Sequence, residues 1–241
     1  MSFVIYGFNV SIPENIARIQ EQIAAAANRV GRPQEGIALM AVTKTHPAGK
    51  IREAYDAGLR LFGENRVQEF AGKAADLANL AGAEWHMIGH LQTNKAGKAV
   101  ELFGAVDSVD SVKLGEKLNA AAKSVGKKLR VLIEINIGGE EAKSGVAEDS
   151  AELEDLLQAA ARLESLSFRG LMTVPPFTDD PEGARAYFRK VRRLRDKIAA
   201  RNLPAICVDE LSMGMSHDFG VAIEEGSTCV RVGTAIFGER E

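Results

Sequence analysis

The chain has 241 residues, 46% of them hydrophobic, which is enough for a large core and, by length, for one domain or two. Its 30 basic residues against 33 acidic ones leave a formal charge of −3, and no arginine-rich block or basic tail appears, which argues against a nucleic-acid partner. No apolar run approaches the roughly 20 residues of a membrane span. Cys207 and Cys229, each among apolar neighbours, read as buried thiols of a reducing compartment.

Residues 1–10 are mildly apolar but lack a basic start and a small-residue cleavage site, so they do not read as a signal peptide. A soluble cytoplasmic protein is expected. Ser11-Ile12-Pro13-Glu14 fits a capping box with proline in the first turn. Ile16, Ile19 and Ile23 follow at helical spacing, and Gly31-Arg32-Pro33 stops the helix, which gives an N-terminal helix over about 11–31. From there short apolar runs alternate with helical segments. The runs lie near 37–43, 59–63, 84–89, 105–109, 129–137, 166–172, 206–211 and 228–232. Helical periodicity covers 50–57, 67–80, 112–124, 151–163 and 184–200. Eight strand-plus-helix units suggest a single-domain α/β fold, a (β/α)8 TIM barrel, with an open doubly wound sheet as the alternative.

The ends of these strands carry the candidate chemistry. Lys44 closes the first run, Ile37 to Thr43, and shares parity with Met40 and Val42. A lysine at the rim of a core is partly desolvated, which frees an amine able to attack a carbonyl; the plainer reading is a surface lysine ending a strand. Asn65 follows the second strand and either meets a ligand or caps the next helix. His86 and His90 share parity on the third, and His86 reads first as a satisfied core histidine; no carboxylate or cysteine spacing joins them into a metal site. On the fifth strand Glu134 and Asn136 have the parity expected for the lumen, where they meet a ligand or satisfy neighbours. Lys143 reads as a solvated loop lysine, and Met172 and Met213 as packing residues.

After strand seven comes Ser212-Met213-Gly214-Met215-Ser216, and after strand eight Arg231-Val232-Gly233-Thr234. These are the two loops where barrels often hold phosphate, and their glycines and hydroxyls suit an anion. A helix starting near Ser216, with Asp218 in its first turn, would point its positive end at the same place. The alternative is two ordinary glycine turns. A lysine and a phosphate cradle in one mouth leave two kinds of Schiff base, one to pyridoxal 5′-phosphate (PLP) and one to a phosphosugar. Arg231, two residues before Gly233, points into the lumen by parity. There it would keep a pyridine nitrogen unprotonated and weaken the ring as an electron sink; otherwise it pairs with a carboxylate such as Glu210. No nucleophile elbow, P-loop or dinucleotide fingerprint is present.

Ordered motifs carry a resemblance over almost the whole chain from about Asn15. They are Ala41-Val42-Thr43-Lys44, the run 62–69 (FGENRVQE), the run 85–95 (WHMIGHLQTNK), Lys143-Ser144-Gly145, 170–174 (GLMTV), 211–216 (LSMGMS) and 230–238 (VRVGTAIFG). In these the chain resembles the pyridoxal phosphate homeostasis proteins, the family named for a proline-synthetase co-transcribed homologue, whose barrel is similar to the alanine racemase N-terminal domain. The resemblance implies that Lys44 forms an aldimine with PLP and that Arg231 faces the pyridine nitrogen. It implies that Ser212, Gly233 and Thr234, with backbone near Met213 and Gly214, hold the phosphate. Asn65 would lie beside the ring and His86 near the pocket. Met87, His217 and Gly220 depart from the family pattern without touching these residues.

A racemase needs acids and bases on both faces of the substrate carbon. Tyr6, Tyr55 and Tyr187 all lie away from the strand ends, and the sequence stops about nine residues after the eighth strand, before a second domain. The expected function is therefore a monomeric PLP carrier or buffer without catalytic turnover, with PLP-dependent apoenzymes or vitamin B6 salvage enzymes as partners. The alternatives are a low-activity amino-acid racemase and a cofactor-free phosphosugar lyase or isomerase. A second PLP site at a surface lysine such as Lys143 has no support in the sequence.

Overall fold

The computed structural model describes residues 11–140 and 143–238. Residues 1–10, with Tyr6, and the last three residues lie outside them. Among the described residues eight parallel strands close into one barrel in chain order. Helix α1 (Ile12–Arg29) precedes β1 (Ala38–Val42). The units that follow are α2 (Ala48–Asp56), β2 (Leu61–Glu64), α3 (Val67–Leu77), β3 (Glu84–Met87), α4 (Ala96–Leu102) and β4 (Ala105–Val109). Then come α5 (Val112–Ser124), β5 (Leu129–Ile135), α6 (Ala151–Ala159), β6 (Leu166–Thr173) and α7 (Arg185–Ala200). The chain finishes with β7 (Ile206–Ser212), α8 (Phe219–Glu224), β8 (Cys229–Val232) and α9 (Thr234–Phe237).

The pairing of β1 with β8 separates this barrel from an open sheet. Ala38, Leu39, Met40 and Ala41 stand beside Cys229, Val230, Arg231 and Val232. Alternation then sorts the side chains. Ala41, Phe62, Val131, Ile133, Leu171 and Val230 face outward into the shared core with the helices. Met40, Val42, Ala105, Leu132 and Met172 are buried but stand apart from that core, on the lumen parity. The lumen therefore has its own apolar floor, and polar groups rise above it. Outside, Phe62, Phe70, Trp85 and Phe103 form a ring cluster with centroids 4.7–5.0 Å apart, which locks α3 onto β2 and β3.

The first helix begins as its sequence requires. The Glu14 N–H donates to Ser11 Oγ at 3.4 Å, and the Ser11 N–H donates to Glu14 Oε2 at 2.9 Å. Its buried stripe, Ile12, Ile16, Ile19 and Ile23, packs along α8 and α9. Asn15 Nδ2 donates to the Ile236 carbonyl at 3.1 Å, so α1 seals the seam where the barrel closes. The remaining elements differ from expectation in small ways. The short α4 has little periodicity to read. The helix expected near Ser216 begins only at Phe219, because Asp218 Oδ1 accepts the Met215 N–H at 2.6 Å and holds a turn there. Cys229 is buried, but Cys207 is only half-buried, with its thiol donating to Asp209.

Close packing between strands sets a tight limit at Gly170. A Cβ there would lie 1.9 Å from the Glu210 carbonyl oxygen, a backbone atom that cannot rotate away. Gly170→Ala is expected to cost about 3 kcal/mol of stability, read as a lower urea midpoint; an unchanged midpoint would show that β6 and β7 separate freely.

Candidate functional site

The C-terminal ends of the strands form a mouth, and the loops after β7 and β8, where an anion site is expected, form one side of it. Gly214 has φ +95°, and a Cβ there would lie 2.5 Å from the Ala222 Cβ and 3.0 Å from the Phe219 Cα. Only glycine lets the loop turn this closely over α8. At Gly233 a Cβ would meet the Val42 Cβ and carbonyl oxygen at 3.4 Å. The start of α9 thus lies against the end of β1, two residues before Lys44. The Ala235 N–H donates to Ser216 Oγ at 3.4 Å and joins the two loops. Thr234 is exposed and Ser216 half-buried, so both hydroxyls stand at the rim.

Arg231 lies beneath these loops, 4% exposed, on the lumen parity beside Met40. Its Nη1 donates to Ser212 Oγ at 2.8 Å and its Nη2 to the Thr173 carbonyl at 2.7 Å. Its own N–H donates to the Gly214 carbonyl at 3.0 Å. Burial works against its charge and lowers its pKa, while Cys229, Asp107, Glu134 and Asp218 pull the other way. Glu210 is not its partner: that carboxylate pairs with Arg130 of β5. Beside Arg231, burial pushes the Cys229 thiol up to about 12, so it stays a neutral packing group.

Ser212 and Met213 differ from the roles implied for them. Ser212 is 1% exposed with its Oγ engaged by the arginine, so it holds Arg231 below the rim. The Met213 side chain is buried in the outer core and its N–H donates to the Cys229 carbonyl at 3.1 Å, which leaves neither for an anion. The six-residue α8 places Asp218 before its first turn, so the donors here are loop groups rather than a helix dipole. The sequence signal for Ser216 was its place in the loop, but only the fold shows it bridging to Ala235.

Opposite the anion loops lies a cavity of about 550 Å³ whose lining includes Asn65, His90, Glu134, Lys143 and Ser144. Asn65 does not cap α3; Arg66 occupies the cap position, without a side-chain cap, and Asn65 lines the cavity. Gly89 lets the third-strand loop close on it, since a Cβ there would lie 2.5 Å from the Asn65 carbonyl oxygen. His86 is 3% exposed in the lumen, with Nδ1 3.1 Å from Asp107 Oδ2, and it is absent from that lining. His90, at the same parity but exposed, lies 3.2 Å from Asp110. Each histidine thus has an aspartate from β4 or the residue just after it, a pairing that needed the β3–β4 register. Lys143 is half-buried in the mouth, paired with Glu140 and donating to the Pro175 carbonyl at 3.3 Å. It belongs to this cavity rather than to a separate surface site. Asn136 Nδ2 donates to the Glu140 and Lys143 carbonyls, so its amide is spent on backbone of its own loop.

Lys44 is half-buried in the turn after β1, at the lumen parity of Met40 and Val42. The lysine, the arginine and the glycine loops therefore belong to one mouth, built from β1, β7 and β8. Among the described residues four buried side-chain atoms, Glu64 Oε2, Asp107 Oδ1, Arg130 Nε and Glu134 Oε2, have no hydrogen-bond partner, and of these residues Glu134 lines the cavity. Such atoms are costly in a dry interior, and a ligand or water at the mouth could meet the one on Glu134. Among the described residues no cluster of ligands for a metal ion is present, and no helix is long and apolar enough to cross a membrane.

This fold and mouth define a barrel of the alanine racemase N-terminal type, and the model of that domain matches residues 15–241. The chain is 43% identical over 228 residues to the pyridoxal phosphate homeostasis protein of Aquifex aeolicus, covering 95% of this chain and 98% of that one. It is 43% identical over 232 residues to the Escherichia coli K12 protein of the same name, covering 95% and 97%. The chain belongs to the pyridoxal phosphate homeostasis protein family. Among solved structures, PLP-bound PipY of Synechococcus elongatus superposes with a TM-score of 0.82 at 38% identity, over 95% of this chain and all of that one. The alanine racemase of Streptomyces coelicolor superposes with a TM-score of 0.68 at 22% identity, over 93% of this chain and 59% of the racemase, a likeness of fold alone.

Burial raises the Glu134 carboxyl and Asp110 pushes the same way, while the Ser144 hydroxyl, Arg231 and His90 pull it back. A carboxyl raised in the fold binds its proton more tightly there than in the unfolded chain. Its contribution to stability is therefore complete below the unfolded value of about 4.3 and is lost as pH rises through the folded value. Glu134→Gln keeps the neutral shape. It is expected to raise the urea midpoint at pH 8 and to leave it near wild type at pH 4. Equal differences at both pH values would show that this carboxyl is not raised.

Proposed function

We propose that this chain holds PLP through Lys44 and serves as a carrier or buffer of the cofactor, without catalytic turnover. The observation that carries the reading is the buried Arg231 beneath two glycine loops that close on the end of the Lys44 strand. The residues suit the group in three places. Gly214 and Gly233 let both loops pack closely at the rim, and Ser216 and Thr234 bring hydroxyls beside them, as a phosphate requires. Arg231 offers a fixed cation below, and Lys44 a primary amine on the same rim. Asn65 lines the adjoining cavity with an amide.

When bound, PLP supplies an aldehyde that condenses reversibly with a primary amine. The chain's own part is to bind and orient. Lys44 is the amine. The Thr234 and Ser216 hydroxyls and the loop backbone take the phosphate. Arg231 is held by Ser212 and Thr173 beneath the loops and would meet the ring of the cofactor rather than its phosphate. A permanent cation there disfavours a protonated pyridine nitrogen, which mutes the ring as an electron sink and does not favour carbanion chemistry. Tyr55 donates its hydroxyl to the Ala81 carbonyl outside the barrel, and Tyr187 lies on α7, so neither serves as an acid at the mouth. PipY is similar to this chain over its whole length and was solved with PLP bound, which supports the same ligand here. The recipients of the cofactor would be PLP-dependent apoenzymes or enzymes of B6 salvage.

Two measurements test this reading. The protein with PLP is expected to be yellow, and borohydride is expected to bleach it and fix the label on Lys44 in peptide maps. Lys44→Ala should lose the fixed label while keeping its circular dichroism; a fixed label of full yield in that variant would assign the wrong lysine. In deuterated water the holoprotein should leave the α-protons of free amino acids unexchanged. Rapid exchange would make it a racemase-type enzyme instead.

A further inference from the structure

We propose that Lys73, on α3 outside the barrel, is the residue that positions Lys44. The proposal rests on Lys44 being the attachment point. Lys73 Nζ lies 2.9 Å from the Thr43 carbonyl and 3.3 Å from the His46 carbonyl, the two residues that bracket Lys44-Thr45. It also lies 2.8 Å from Glu64 Oε1 and 3.4 Å from Glu69 Oε1. One ammonium thus clamps both ends of the turn that carries the lysine. The Lys73 side chain is 11% exposed and that of Glu64 is fully buried, so the carboxylate has no water to replace this partner.

The turn needs such a clamp. Thr45 has φ +66°, a left-handed conformation that a β-branched residue avoids. Its N–H donates to Glu69, the carboxylate four residues before Lys73. The Thr43 hydroxyl donates to Glu64, and its N–H to the Gly63 carbonyl at 3.0 Å. The His46 N–H closes the turn onto the Thr43 carbonyl at 3.1 Å, and its ring packs on Phe237 with centroids 4.5 Å apart. Glu64 ends β2, and Glu69 and Lys73 lie on α3, so all three fall within the run 62–73. That run is therefore a support for the strained turn, and through it for the lysine.

A plainer role for Lys73 is to neutralise Glu64, whose carboxyl burial already raises. Two variants separate these roles. Lys73→Met removes the clamp and leaves Glu64 uncompensated in the interior. Glu64→Gln with Lys73→Met removes the buried charge as well, so stability should return while the turn stays unclamped. The probe for the rest of the site is 4-deoxypyridoxine 5′-phosphate, which has the ring and phosphate but no aldehyde to attach.

The experiment compares the wild type, both variants and Lys44→Ala. Calorimetry gives affinity for the deoxy compound, and absorbance with borohydride labelling gives the rate of PLP attachment. Affinity for the deoxy compound is expected to stay within about twofold, while attachment falls at least about tenfold in Lys73→Met and remains as slow in the double variant. A double variant that attaches PLP at the wild-type rate would overturn the proposal in favour of simple charge compensation. Loss of both activities together in the refolded double variant would overturn it in favour of general collapse. A wild-type protein with no label on Lys44 would overturn the attachment reading first, and the positioning role with it.

Discussion

Arg231 carries a permanent charge in a barrel interior, and a buried charge must be paired or bonded. Here the guanidinium reaches the Thr173 carbonyl at the end of β6 and the Ser212 hydroxyl at the end of β7, while its backbone N–H holds the Gly214 carbonyl. Asp107, Glu134 and Asp218 surround it with negative charge. One residue of β8 therefore joins three strand ends and sets the height of the loop above it. Those bonds also restrain it. An arginine with its donors committed to fixed acceptors offers a ligand a defined positive edge and little freedom to follow it.

The rest of the mouth is arranged around that edge. On the side of β7 and β8, Gly214 turns with a positive φ so close to α8 that a Cβ would clash, and Gly233 lies in van der Waals reach of Val42. The approach of Gly233 to Val42 is where the barrel closes, so the same contact that completes the fold brings the loop after β8 to the lysine strand. Across the mouth, Glu134, Asn65, His90 and Lys143 leave room for a ligand to enter and leave. Lys44 and the buried Arg231 thus share one mouth with that open cavity. The lysine is held in turn from outside, by an ammonium on α3 that reaches two carbonyls of its turn.

The racemase fold likeness shows how little the barrel decides alone. At 22% identity the two backbones superpose, yet the chain spans only 59% of the racemase. Chemistry belongs to the groups placed on the rim, and the same scaffold serves different ends. The family relatives, by contrast, match over nearly their full lengths.

The sequence alone determined the eight strands, the first helix and the polarity of the mouth. Those follow from short-range rules: alternation along a strand, a capping box, glycines at turns. Lys44 and Arg231 were legible because parity with Met40, Val42 and Gly233 is a local property. Other placements were not local. Asn65 reads as a helix cap until Gly89 closes on it. Lys143 reads as solvated until the fold sets it in the cavity lining beside Glu134 and Ser144. The Met213 N–H reads as a free donor until β7 pairs with β8. Asp107 meets His86, and Lys73 meets the Thr43 carbonyl, only through the lateral register of strands and the docking of α3. The tertiary structure decided these because hydrogen bonds between distant segments depend on strand stagger and barrel closure, which no window of neighbouring residues encodes.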